Sequence, residues 1–210
     1  GFPMALQYSI TAIGTMMVQS ALNLLGSISV AAFTAASKIE QIVTQAYVAL
    51  GTAMATYCAQ NMGAGYIKRI RRGFRSATII GSVYSVVVAV LMVLGGHYLT
   101  YLFVEAADVP QVIGGVRTYL ICVSVFFIPL TVVNLYRNGI QGMGYGFLPM
   151  TAGIAELIGR GVVAMIASRH RSYVGACLAS PMAWILAGSL LLVMYFKIMK
   201  GLEQNREAES

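Results

Sequence analysis

One stretch of this sequence, Ala31 to Gly65, is long enough to cross a lipid bilayer yet polar along one side. It reads AAFTAASKIEQIVTQAYVALGTAMATYCAQNMGAG. At about 100° per residue on a helix, Thr34, Ser37, Lys38, Glu40, Gln41, Thr44, Gln45, Thr52 and Thr56 fall within an arc of roughly 160°. Ala35, Ile39, Ile42, Val43, Ala46, Ala49, Leu50, Ala53 and Met54 fill the rest. One side suits lipid or packed helices, and the other suits water or a solute. A charge at bilayer depth is costly, about 2.5–3.5 kcal/mol per residue on insertion scales. Lys38 and Glu40 therefore need a reason to be there, and a pathway through a membrane supplies one.

Composition points the same way. The chain is 58% hydrophobic and only 10% charged, whereas soluble domains carry about 25% charged residues. Its net charge is +7. Most of the basic residues sit in short connections between apolar runs, where cytoplasmic loops collect them, so nucleic acid is not expected as a partner. Cys58, Cys122 and Cys177 are odd in number and far apart, which indicates neither a disulfide framework nor a zinc site. No metal or other cofactor is expected. The opening Gly1-Phe2-Pro3 already stands at the edge of an apolar run and reads as a cut within a longer protein.

The fold class expected is an all-α membrane protein with six transmembrane helices. They are placed at Met4 to Ser27, Phe33 to Gln60, Ala77 to Phe103, Val112 to Tyr136, Phe147 to Ala167 and Val174 to Ile198. Together they make one bundle over residues 1–201. Residues 202–210 form a polar, disordered cytoplasmic tail. Lys68, Arg69, Arg71, Arg72, Arg75, Arg137, Lys197, Lys200 and Arg206 fall on one side of such a bundle. Arg117, Arg169 and Arg171 fall on the other. The heavier group places both chain ends in the cytoplasm, in a plasma membrane expected to be bacterial.

Several residues are candidates for function. Gln7, Thr11, Thr15, Gln19 and Asn23 recur every fourth position in the first helix. They can bond neighbouring helices or face the same cavity as the second helix. Ser37, Lys38, Glu40, Gln41, Thr44 and Gln45 are the cavity candidates of the second helix, and Asn134 that of the fourth. Glu156 and Arg160 are four apart on one helical face and suit an internal ion pair. The sharper alternative is a cation-responsive carboxylate, with Glu40 as a second such candidate. Pro129 removes a backbone hydrogen bond and should free a carbonyl near Val125, so a kink is expected there. Pro181 should act similarly near Trp184. Gly81, Gly95, Gly153 and Gly188 suit close helix packing. No catalytic motif or ATP-binding signature is present, and no enzymatic activity is expected.

Three segments carry a family resemblance. Gly1-Phe2-Pro3 followed by Gln7 resembles the G-x-P-x-x-x-Q opening of the second half of MATE (multidrug and toxic compound extrusion) transporters. Gln60-Asn61-Met62-Gly63-Ala64-Gly65, then Arg69 and Gly73, resembles their Q-N-x-G-A-G segment. Arg137-Asn138-Gly139-Ile140-Gln141-Gly142-Met143-Gly144, then Pro149, resembles their R-x-x-x-Q-G-x-G…P segment, and Glu156-Leu157-Ile158-Gly159-Arg160 also fits. Gln60, Asn61, Gly63, Gly65, Arg69, Arg137, Gln141 and Gly142 would then belong to cytoplasmic loop motifs. The resemblance implies one lobe of a twelve-helix transporter, with the N-terminal six-helix bundle absent. It also implies efflux of small cationic or amphipathic compounds in exchange for sodium ions or protons.

Some family members place cation-binding carboxylates on the first and fourth helices of this lobe. Here those helices contain neither Asp nor Glu. Coupling is therefore expected first in the absent bundle, with Glu40, Glu156 and Arg160 as the candidates in this chain. A lipid-linked oligosaccharide flippase of the same superfamily is the alternative. It should line its cavity with several basic residues, but Lys38 is the one clear cation on the second helix's polar face. A non-transporting membrane remnant is a third reading.

Overall fold

The computed structural model describes residues 1–209, so Ser210 at the end of the expected tail lies outside the described residues. The described residues form seven α-helices: α1 Phe2–Asn23, α2 Ser27–Gly63, α3 Ile67–Gly95, α4 Val109–Ser124, α5 Phe127–Gly142, α6 Phe147–Arg169 and α7 Tyr173–Glu209. A 3-10 helix, Gly96–Leu102, extends α3. That extended helix, α6 and α7 are each long and apolar enough to cross a membrane. The bent pair α4 and α5 makes a fourth such segment.

The break between α4 and α5 falls where the sequence places it. Pro129 lacks an N–H, so the carbonyl of Val125 loses its helical donor. The helix stops at Ser124, turns through Val125 and Phe126, and restarts at Phe127 with a bend of 55°. Pro181 behaves differently: α7 runs through it without interruption. The basic stretch expected as a connection is also helical, since α3 begins at Ile67. Ile67, Ile70 and Phe74 bury one face there, and Lys and Arg are good helix formers. The described part of the tail continues α7 as helix instead of disordered chain. It is held by the Arg71–Glu203 ion pair, with N and O 3.0 Å apart, and by a hydrogen bond from Arg206 to the Gly65 carbonyl.

The glycines of the two loop motifs have distinct mechanical roles. Gly65 (φ 74°) and Gly144 (φ 99°) adopt left-handed conformations. They let the N–H groups of Tyr66 and Tyr145 turn back onto the carbonyls of Asn61 and Ile140, a geometry that ends a helix and that glycine permits without strain. Gly142 instead lies against α2, where a Cβ would stand 2.3 Å from the Ala55 carbonyl oxygen. Gly81 packs as tightly, with a Cβ meeting Thr131 Cγ2 at 2.3 Å, whereas Gly95, Gly153 and Gly188 have ordinary clearance.

These contacts join α2, α3 and α5. Away from water, polar groups need partners within the protein. Tyr47 Oη and Ser85 Oγ stand 2.7 Å apart, Ser85 Oγ and Thr131 Oγ1 2.8 Å, and Tyr84 donates to the Val43 carbonyl at 2.6 Å. Phe74, Tyr136 and Tyr195 tie α3, α5 and α7 together, with ring centroids 4.6 to 5.0 Å apart. On the other flank α1 packs on α6, and α6 packs on α7. Leu22 and Val18 of α1 are buried with Ala164 and Ala167 of α6. Between α1 and α2 there is little direct contact.

Gly142→Ala should destabilise the protein, because the obstructing atom is backbone and cannot rotate away. A loss of about 1–3 kcal/mol is expected. Gly114, where a Cβ would meet open space, serves as the control. Thermal unfolding of the detergent-solubilised protein should fall for Gly142→Ala and stay near wild type for Gly114→Ala. Equal melting of the two variants would refute the close approach.

Candidate functional site

Because α1 leans on α6 and not on α2, the polar faces of α1 and α2 border an open cleft. Two cavities lie along it, and both are walled in part by Thr11. The first, about 260 Å³, is lined by Thr11, Thr15, Val18 and Gln19 of α1 and Phe33, Ser37, Glu40, Gln41 and Thr44 of α2. Tyr119, Arg160 and Ser180 complete it from α4, α6 and α7. The second, about 390 Å³, is lined by Met4, Gln7, Tyr8, Thr11, Val48, Thr52, Arg137, Asn138 and Gln141.

The sequence candidates divide across these spaces. Ser37, Glu40, Gln41 and Thr44 share the first cavity, Gln7 lines the second, and Thr11 belongs to both. Lys38 and Gln45 are exposed on α2 outside both walls. Asn134 also lies outside them: it donates to the Leu130 carbonyl at 3.0 Å and its own carbonyl faces Gly51. Asn138, one turn further along α5, reaches the second cavity instead. Of the loop-motif residues, Gln141 and Arg137 line the second cavity. Gln60 is exposed, Asn61 donates to the Tyr57 carbonyl, and Arg69 stacks its guanidinium 4.4 Å from the Tyr66 ring centroid. Gly63 has nothing within 4 Å of a Cβ position.

The polar ridge of α1 works differently at different depths. Gln7 accepts a hydrogen bond from Gln141 Nε2 at 3.0 Å and so links α1 to α5. Thr11 and Thr15 satisfy their hydroxyl protons on their own helix, donating to the carbonyls of Gln7 and Thr11 at 3.0 Å. Their oxygens are left facing the cleft.

Two carboxylates stand in contrasting surroundings: Glu40 lines the first cavity, whereas Glu156 is buried behind the arginines that line the cleft. Glu156 is clasped by two guanidiniums: Arg137 Nη2 reaches Oε2 at 2.6 Å and Arg160 Nη2 reaches Oε1 at 2.9 Å. The Arg160 half is the pair read from the sequence. The Arg137 half was not, since Arg137 comes from a different helix, 19 residues away. Arg160 also donates from Nε to Ser180 Oγ at 3.3 Å, while Arg137 Nε is buried with no partner among the described residues. Glu40 takes part in no ion pair among the described residues. It accepts from the Tyr119 hydroxyl, which in turn receives the Ser37 hydroxyl at 3.5 Å. Tyr119 packs edge-on against Phe33, with centroids 4.8 Å apart. Sequence reasoning missed Tyr119, because a tyrosine in an apolar run reads as core and the contact spans 79 residues.

The arrangement offers hydroxyl and amide groups, an aromatic pair and a carboxylate to a solute entering from the open side. Among the described residues no group of three or more His, Cys, Asp or Glu could hold a metal ion.

Glu156→Gln would leave two buried guanidiniums without a counter-charge. Breaking a buried ion pair from one side costs about 3–5 kcal/mol, so folded yield and melting temperature should both fall sharply. A variant of normal yield and melting temperature would overturn the structural role of Glu156.

Comparison with known proteins agrees with this architecture. The MatE family model matches residues 2–166. A probable multidrug resistance protein, YpnP of Bacillus subtilis (strain 168), is 32% identical over 140 residues, covering 67% of this chain and 31% of that protein. A crystal structure of a MATE protein in complex with MaL6 superposes with a TM-score of 0.90 at 17% identity, covering 97% of this chain and 46% of the other. A MOP superfamily transporter from Pyrococcus furiosus, described as having a binding pocket of reverse polarity, gives a TM-score of 0.89 at 18% identity over the same shares. At these identities the structural likeness is one of fold. The chain thus spans about a third of the curated relative and under half of the solved structures. With the family model matched over most of its length, and the fold shared across nearly all of it, the chain belongs to the MATE family of transporters.

Proposed function

We propose that this chain is the C-terminal six-helix lobe of a MATE-type exporter, in which α1 and α2 also cross the bilayer and their cleft faces the substrate pathway. The observation that carries this reading is the separation of α1 from α2, with polar walls and Glu40 along the gap. The hydropathy of α1 and α2 is lowered by those polar faces, which suits helices that line an aqueous path. A second lobe would close the cleft, as expected for a transporter built from repeats. One lobe has half a cavity wall and nothing to move against, so the chain alone is not expected to transport.

The substrates are small cationic or amphipathic compounds, exchanged for sodium ions or protons. Within this lobe Glu40, and not Glu156, is the residue placed to respond to a cation. Glu156 is already neutralised by two arginines, while Glu40 is bonded only to the Tyr119 hydroxyl and shares its cavity with Arg160, whose charge is committed to Glu156. The aromatic pair Phe33–Tyr119 beside it suits an organic cation as well. A flippase for an anionic lipid-linked sugar needs free cations in its cavity. Arg137 and Arg160, the two that reach the cleft, are both committed to Glu156.

Both chain ends are assigned to the cytoplasm of a bacterial plasma membrane. The α2–α3 turn, with its basic residues, lies at the same end of the bundle as the end of α7, through Arg71–Glu203 and Arg206–Gly65. The Bacillus relative supports the bacterial setting.

The test is transport by the intact protein in vesicles under an imposed sodium or proton gradient. Gln41→Leu should shift the range of compounds exported with little loss of protein. Glu40→Gln should weaken the dependence on the ion gradient while the protein still folds. Unchanged export of every compound by the first variant, together with unchanged coupling in the second, would remove the cleft from the pathway.

A further inference from the structure

Helix α3 has two opposed faces. At about 100° per residue, Ile70, Phe74, Gly81, Ser85, Val88 and Met92 point one way, and all are buried against neighbouring helices. Ile79, Ile80, Val83, Val87, Val90 and Leu94 point the other way and are exposed by more than half. That second face is the one a bilayer would cover, since this helix is long and apolar enough to cross one.

The basic residues at the start of α3 follow this division. Arg69 and Arg72 lie within about 30° of the centre of the exposed apolar stripe, and Lys68 and Arg75 flank it within about 90°. All four are exposed, and none takes part in an ion pair among the described residues. Arg71, which points about 130° away from the stripe, is the one that meets an acid, Glu203. At the start of α3, Arg69 and Arg72, the two cations nearest the centre of the exposed stripe, thus lie away from Glu203, whereas Lys68 borders the same cavity as Glu203 and Glu207. Depth agrees: from Arg72 to Leu94 the helix rises about 33 Å, close to the ~30 Å hydrocarbon thickness. Arg72 then stands at the level of the phosphates when the apolar stripe fills the core.

We propose that the lipid-facing start of α3 is a binding surface for anionic phospholipid headgroups, with Arg69 and Arg72 contacting the phosphodiester and Lys68 and Arg75 at its edges. The attraction is expected at about fivefold per basic residue near an anionic surface, so about thirtyfold for Arg69 and Arg72 together. The proposal rests on α3 as a membrane span and on its charge pattern. It holds whichever solute the transporter carries.

The intact protein should be extracted from vesicles of mixed phosphatidylcholine and phosphatidylglycerol, and the lipid it retains measured by mass spectrometry. Wild type should retain phosphatidylglycerol above its share of the vesicle. The double variant Arg69→Gln, Arg72→Gln should lose that enrichment. Arg117→Gln with Arg169→Gln, which removes the same charge elsewhere, should keep it. No enrichment in wild type, or equal enrichment in both double variants, would overturn the proposal. Should the first variant fail to fold, wild type at about 1 M salt, where the Debye length is ~3 Å, decides the matter. Enrichment lost there supports the surface, and enrichment retained refutes it. Transport is not read in this experiment, so its failure would leave the exporter reading standing.

Discussion

A carboxylate held among apolar helices must find positive charge within the protein, and Glu156 finds two. Its hold on Arg137 joins α6 to α5, which otherwise touch little. Its hold on Arg160 braces α6 itself, and Arg160 lies where α1 crosses at Gly14. This clasp fixes one side of α6, whose main support is its packing on α7, and α1 rides on α6. The gap between α1 and α2, and hence the cleft with its polar walls, rests on how α6 is held, and that carboxylate with its two partners is part of the hold. Such a cluster is retained only where every member is satisfied or serves a purpose. Here Arg137, whose buried Nε has no partner among the described residues, lines the second cavity.

A second constraint acts on the backbone. Helices this long need defined stops, and the chain supplies them with glycine in the left-handed region at Gly65 and Gly144. The proline at Pro129 supplies a break inside a span, where the freed Val125 carbonyl coincides with a 55° bend. The same short motifs therefore hold both a stop, at Gly144, and a packing contact, at Gly142, two residues apart. Spacing alone does not separate those roles; the φ angle and the Ala55 carbonyl do.

Much of the helical framework could be read from the chain because its signals are local. Apolar runs, the break at Pro129 and the polar stripe of α2 each depend on neighbours within a few turns. The Glu156–Arg160 pair was legible for the same reason, being four residues apart on one helix. What escaped was long-range. Arg137 as the second partner of Glu156, and Tyr119 as the partner of Glu40, are set by how helices distant in sequence come together. Asn134 was misplaced relative to the cavities because the rotation of α5 follows its packing against α2, not its own periodicity. The extent of α3 and α7 was underestimated because charged residues that extend a helix past the bilayer look, by composition, like loop and tail.

The backbone contact at Gly142 has a further meaning for how such a lobe can change shape. Ala55 and Gly142 are in direct apposition and Gly81 lies against Thr131, while Tyr47, Ser85 and Thr131 bond across the same interface, so α2, α3 and α5 are closely fitted. Those three helices form a stiff plank. The α1–α6 side meets α2 with few contacts; its direct ties to α5 are the Arg137–Glu156 ion pair and the Gln7–Gln141 hydrogen bond, and α7 packs against both sides. The direct bond between α5 and α6 is thus an electrostatic seam beside the cleft, and any change of width that parts α6 from α5 must stretch it.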